Sequence, residues 1–122
     1  MQKAIIKMEK SNSNHGFTVL SIEPYNEIVN AWDTENVFKP KGEKETLEIC
    51  FCKGIDQNKE LKILFVQSRS KYSFTFDTEI QLEIDGEFKS VSNVGSHTKS
   101  KTTEIWEWDI KKLRISNLKI KQ

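Results

Sequence analysis

The chain has 122 residues, a formal net charge of +1 and a charged fraction of 30%, the proportions of a domain large enough to bury a core without disulfide or metal staples. That balance excludes the strong basic excess of a dedicated DNA-binding protein. No segment approaches the run of about twenty apolar residues that a membrane span needs, and the opening Met-Gln-Lys-Ala-Ile-Ile-Lys holds no secretory-signal stretch, so the expected compartment is the cytoplasm.

Charge is unevenly spread. Residues 1–60 carry two more acidic than basic side chains and residues 61–122 three more basic than acidic, which directs any anion-binding surface to the second half. In chain order, Ala4, Ile6 and Met8 alternate with Lys3, Lys7 and Glu9 and predict a first strand. The Ser-Asn-Ser-Asn-His-Gly run at 11–16 is turn chemistry, and Phe17 to Ile22, closed by Pro24, predicts a second strand. Tyr25, Ile28, Val29 and Trp32 then fall at i, i+3, i+4 and i+7, one face of a short helix with proline at its start. Residues 33–45 lack periodicity and read as an exposed connection.

Strands resume at Thr46 to Cys52, where Leu47, Ile49 and Phe51 occupy one side and Cys50 and Cys52 the other. Apolar residues on both sides predict a central strand buried on both faces. Two cysteines two apart on an extended strand sit near the limit of disulfide geometry, so reduced packing thiols are expected. Gly54 to Glu60 turns the chain into a second apolar strand, Leu61 to Val66.

Residues 72–84 give the clearest signal. Tyr72, Phe74, Phe76, Ile80, Leu82 and Ile84 alternate with polar residues, the period of a half-buried strand, and Asp85-Gly86 predicts a two-residue hairpin turn. That turn would pair Ile84 with Glu87 and leave Phe88 beside Glu83 on the outer face, a mismatch that requires a bulge or a cover over Phe88. Further strands are expected near 87–94 and 104–110, with a closing strand marked by Leu113, Ile115, Leu118 and Ile120 after a helical turn at 110–115. The sum is one β-rich domain over 1–122: an antiparallel β-sandwich or partly open barrel of about seven or eight strands with one short helix.

Catalytic motifs are weak. His15 and His97 lie in polar loops with no nucleophile placed beside them, and no Gly-x-Ser-x-Gly elbow or phosphate-binding Gly-rich loop occurs. Asp77, Glu79, Glu83, Glu104, Glu107 and Asp109 take the polar positions of alternating strands, as a solvated face does. Cys50, Cys52, His15 and His97 supply zinc-type donors, but paired cysteines on one strand face do not make a zinc knuckle. The expectation is therefore no enzyme, no metal and no cofactor.

Two surfaces remain. Hairpin topology brings loops 67–71 and 95–103 to one end of a sheet, where Arg69, Lys71, Ser96, His97, Lys99 and Lys101 would combine cations and hydroxyls suited to a phosphate-containing ligand. Arg69 and Lys99 are expected to face solvent. Trp106, Trp108 and Phe88 are candidates for contact with a protein partner, since rigid aromatic area anchors interfaces, although tryptophans at this spacing also serve cores. The functional expectation is a small binding protein of inhibitor, immunity or self-assembling type whose partner is another protein or itself, and a homodimer or larger oligomer is expected. The alternative is a binder of a phosphorylated ligand, nucleotide or nucleic-acid backbone through the basic loops.

Overall fold

A computed structural model describes residues 2–11, 14–26, 28–30, 45–70, 72–93 and 101–121. These form β1 (Gln2–Ser11), β2 (Asn14–Pro24), β3 (Ile28–Asn30), β4 (Thr46–Asp56), β5 (Lys59–Ser68), β6 (Ser73–Gln81), β7 (Phe88–Val91), β8 (Lys101–Trp106) and β9 (Lys112–Lys121). The strands lie in two sheets: a large one in the order β2-β1-β4-β5-β8, with β3 also on β4, and a small one in the order β7-β6-β9. Pairing is antiparallel apart from β3, which runs parallel to β4. Neither sheet closes into a barrel. Among the described residues no helix is long and apolar enough to cross a membrane.

The expected helix over 25–32 is corrected where it can be followed. Ile28–Asn30 is a strand whose Val29 pairs with Gly54 and is buried beside Cys52 and Ile63; Trp32 lies outside the described residues. An isolated helix this short is marginal in water. The edge of β4 beyond the end of β1 offers hydrogen bonds to Lys53, Gly54 and Ile55 instead, and two β-branched residues suit them.

β4 is the central strand that its two apolar faces predict. Leu47 and Ile49 join Leu64, Val66, Phe74 and Phe76 in a core between the two sheets. Cys50 and Cys52 face away from the small sheet, packed with Val29, Leu61, Ile63 and Phe65. Each fully buried side chain of this size contributes about 1.5–3 kcal/mol, so both faces of the β4–β5 hairpin hold the fold. Its turn is narrower than Gly54 to Glu60: Gln57 and Asn58 alone lie between Asp56 and Lys59, both with positive φ, as a twisted two-residue hairpin requires.

The long strand ends earlier than its alternation suggests. β6 stops at Gln81, which pairs with Phe88, so residues 82–87 form the connection. The tight turn inside it spans Glu83 to Gly86, whose amide donates to the Glu83 carbonyl at 3.0 Å, and Asp85 takes the left-handed φ of 61°. The ladder gives way because Gln81 is engaged at both ends. Its side-chain amide donates to the Gly86 carbonyl at 2.9 Å, and its own carbonyl accepts from the Lys111 amide at 2.7 Å.

Phe88 remains on the outer face, and it is covered: the Arg114 guanidinium lies 4.2 Å over its ring. The strand expected over 104–110 instead occupies Lys101–Trp106, and the helical turn at 110–115 gives way to β9 from Lys112 onward.

Width decides what the small sheet can cover. Three strands span about 10 Å between outer axes and five span about 19 Å, so part of the large sheet must overhang. Phe17 meets Phe74 edge to face at 6.0 Å, and that end of β1–β2 is covered. Further along, Val19 and Ile22 share the inward face with Ile6 and Ala4 by register, yet they are 54% and 58% exposed.

Candidate functional site

The basic loop end expected from the sequence is described only in part. Lys71, Ser96, His97 and Lys99 lie outside the described residues, while Arg69 and Lys101 fall at the same end and on the same face of the large sheet, because Gln67 pairs with Lys101. Lys101 is exposed. The solvent-facing Arg69 is corrected: its side chain is 13% exposed and its guanidinium contacts the buried Glu48 carboxylate, which also binds Lys3 at 3.2 Å.

Backbone geometry holds that arginine in place. The Arg69 amide donates to the Thr46 carbonyl at 2.9 Å. Serines fold the chain around it: the Ser70 amide donates to Ser68 Oγ at 3.1 Å and the Tyr72 amide to Ser70 Oγ at 3.0 Å. Ser70 Oγ in turn donates to Glu45 at 2.9 Å. Glu48 is the residue that sequence reading passed over, although a carboxylate on the same strand face as Cys50 and Cys52 was a visible signal that a buried partner must exist. Arg69 and Lys3 supply it, so this cluster works first as an internal tie between β1, β4 and the end of β5.

The aromatic candidates divide. Trp106 is half-buried against the core between the sheets, Phe88 is stacked under Arg114, and Trp108, past the end of β8, is 53% exposed. Near it, Lys62 is buried in mid-strand yet reaches Glu60 at 3.2 Å and Asp109 at 3.6 Å. The Asp109 carboxyl is held below the usual range by the hydrogen bond and charge of Lys111, at 2.6 Å.

The thiols are free and fully buried. Hydrogen bonding to Cys52 and burial push the Cys50 thiol far above its ordinary value, the state of an unreactive packing group. Among the described residues no three His, Cys, Asp or Glu side chains gather as a metal ion requires.

Among the described residues, two hollows reach the size of a small-molecule site. A groove of about 550 Å³ on the small sheet is lined by polar groups such as Asp77, Glu79, Asn93 and Asn117, and these satisfy one another. Asn93 donates to the Phe76 carbonyl and to Thr78, Asn117 donates to Asp77, and Arg114 grips Glu79 with two bonds. The second, about 580 Å³, lies where the small sheet ends over Gln2 and Phe51 of the large one.

A third feature is a surface. Val19, Leu20 and Ile22 stand exposed on β2, the end strand of the large sheet. Leu20 is the extra residue of a bulge, since Ile5 pairs with Ser21 and Ile6 with Val19. No protein-family profile, curated protein or solved structure matches the chain.

Proposed function

We propose that the chain is a binding protein without catalytic activity that works through protein contacts, and that a second copy of itself occupies the overhanging face of β1–β2. The observation that carries this reading is the exposure of Val19, Leu20 and Ile22 together on one end strand. Contiguous apolar surface of this kind marks interaction sites. Among the described residues no strand pairs with the outer edge of β2.

The composition of the strand favours self-association. A two-fold contact sets each side chain opposite itself or its mirror neighbour, which penalises charged strands because like charges oppose. Residues 17–22 read Phe-Thr-Val-Leu-Ser-Ile and carry no charge.

Light scattering across a wide concentration range tests this reading. The expected mass is twice that of one chain, falling to one chain in the Val19→Glu, Ile22→Lys variant with its circular dichroism unchanged. A wild-type mass of one chain at every concentration overturns it. A phosphate-binding role for Arg69, Lys71, Ser96, His97, Lys99 and Lys101 is the second reading; the Gln67–Lys101 pairing supports it, and the neutralisation of Arg69 by Glu48 weighs against it.

A further inference from the structure

We infer that the hollow between Phe51 and Phe88 is a binding site for a mononucleotide, an anion that carries a flat ring. It sits where Phe88 and Lys112 flank Gln81 at the end of the small sheet, facing Gln2 and Phe51, which pair with each other in the large one. Its volume of about 580 Å³ is that of a small-molecule site.

The charge pattern points to the ligand. Lys111, Lys112 and Arg114 all line the hollow, and no carboxylate appears among its described lining residues. The two acids that balance these cations, Asp109 and Glu79, bind Lys111 and Arg114 from outside that lining. Lys112 makes no ion pair among the described residues, so its ammonium is available for a phosphate.

The apolar part is equally specific. Glu79 accepts from Arg114 Nε at 3.2 Å and from a terminal guanidinium nitrogen at 2.9 Å. This fixes the plane that lies over Phe88. A fixed guanidinium and two half-exposed phenyl rings offer stacking surface to a base, which inorganic phosphate cannot use. Phosphate alone therefore satisfies only half of the site. Of the β1–β2 pair only Gln2 lines the hollow, and Val19, Leu20 and Ile22 do not, so this inference stands independently of the dimer.

Calorimetric titration of the whole chain with ATP, ADP and AMP, against adenosine, pyrophosphate and a short single-stranded oligonucleotide, tests it. Nucleoside phosphates are expected to bind, adenosine and pyrophosphate each much more weakly. Lys112→Glu should weaken nucleotide binding about tenfold or more through loss of a charge-assisted contact. Phe88→Ala should remove the preference for nucleotide over pyrophosphate. No binding of any nucleotide, equal binding of pyrophosphate, tighter binding of the oligonucleotide than of ATP, or full binding by a folded Lys112→Glu variant each overturns the assignment.

Discussion

Glu48 is an acidic side chain at a position with almost no exposure, held there by ion pairs with Lys3 and Arg69. Removing one member of a buried ion cluster strands the others, a loss of about 3–5 kcal/mol. Glu48→Ala should therefore lower the urea midpoint by an amount in that range. Replacing all three charges with apolar residues of similar size, Lys3→Met, Glu48→Leu and Arg69→Met, should restore most of the stability, since Glu48 is then removed together with both of these partners. A Glu48→Ala variant as stable as wild type would show that the cluster is not a tie.

Asp109 behaves differently, being in water. Lys111 holds its carboxyl below the usual range, so the folded state binds a proton less readily than the unfolded chain does. Its contribution to stability is therefore present above the ordinary carboxylate range near pH 4 and is lost as pH falls through the folded value. In a Lys111→Met variant, the Asp109 carboxyl followed by NMR should titrate at higher pH than in wild type. Identical titration curves would remove Lys111 as the cause.

At the scale of elements, the β4–β5 hairpin and the short β3 depend on each other through Gly54. A methyl group added there would clash with Ile63 Cδ1 and lie 3.1 Å from the Val29 carbonyl oxygen. Gly54→Ala should cost about 1–3 kcal/mol by overpacking, and hydrogen exchange should show Ile28–Asn30 released from β4 before the hairpin opens. The turn of the same hairpin can be improved. Gln57 and Asn58 both adopt positive φ, at 50° and 64°, where Asn-Gly is the favoured pair. Gln57→Asn with Asn58→Gly is expected to raise the melting temperature by a few degrees.

These elements also show what local sequence could carry. The alternation Phe74, Phe76, Ile80 was legible because both the pattern and the burial have period two. The helical spacing of Tyr25, Ile28 and Val29 misled because four apolar residues in eight satisfy a helix on paper, whereas the strand is chosen by an edge supplied 25 residues later in β4. The Asp85-Gly86 turn was legible as a turn but not in register, since the engagement of Gln81 by Gly86 and Lys111 is a tertiary fact. Of the candidate site, the convergence of Arg69 and Lys101 could be reached from hairpin logic. The hollow under Phe88 could not, because it needs the unrelated segments around Gln2, Phe51 and Lys112 to meet.

For the whole molecule, the unequal widths of the two sheets matter most. A three-stranded layer leaves Val19 and Ile22 of β2 exposed, and the dimer proposed to cover them would link folding to association. The melting temperature of wild type should then rise with protein concentration by mass action, while that of the Val19→Glu, Ile22→Lys variant stays constant. A wild-type melting temperature independent of concentration would separate the exposed strand from any role in stability.

The sheet order also sets a schedule for synthesis on the ribosome. Among the described residues, β5 buries every side chain from Leu61 to Val66, yet one of its two edges is closed by β8, made of residues 101–106. Its inter-sheet face waits for β6 and β9 as well, the latter ending at Lys121. A nascent chain therefore carries this apolar segment unprotected until β9 has emerged, the circumstance in which open strand edges attract chaperones or each other. A chain truncated after Asn93 should accumulate as insoluble aggregate, and supplying residues 101–121 in trans during refolding should recover part of it in soluble form.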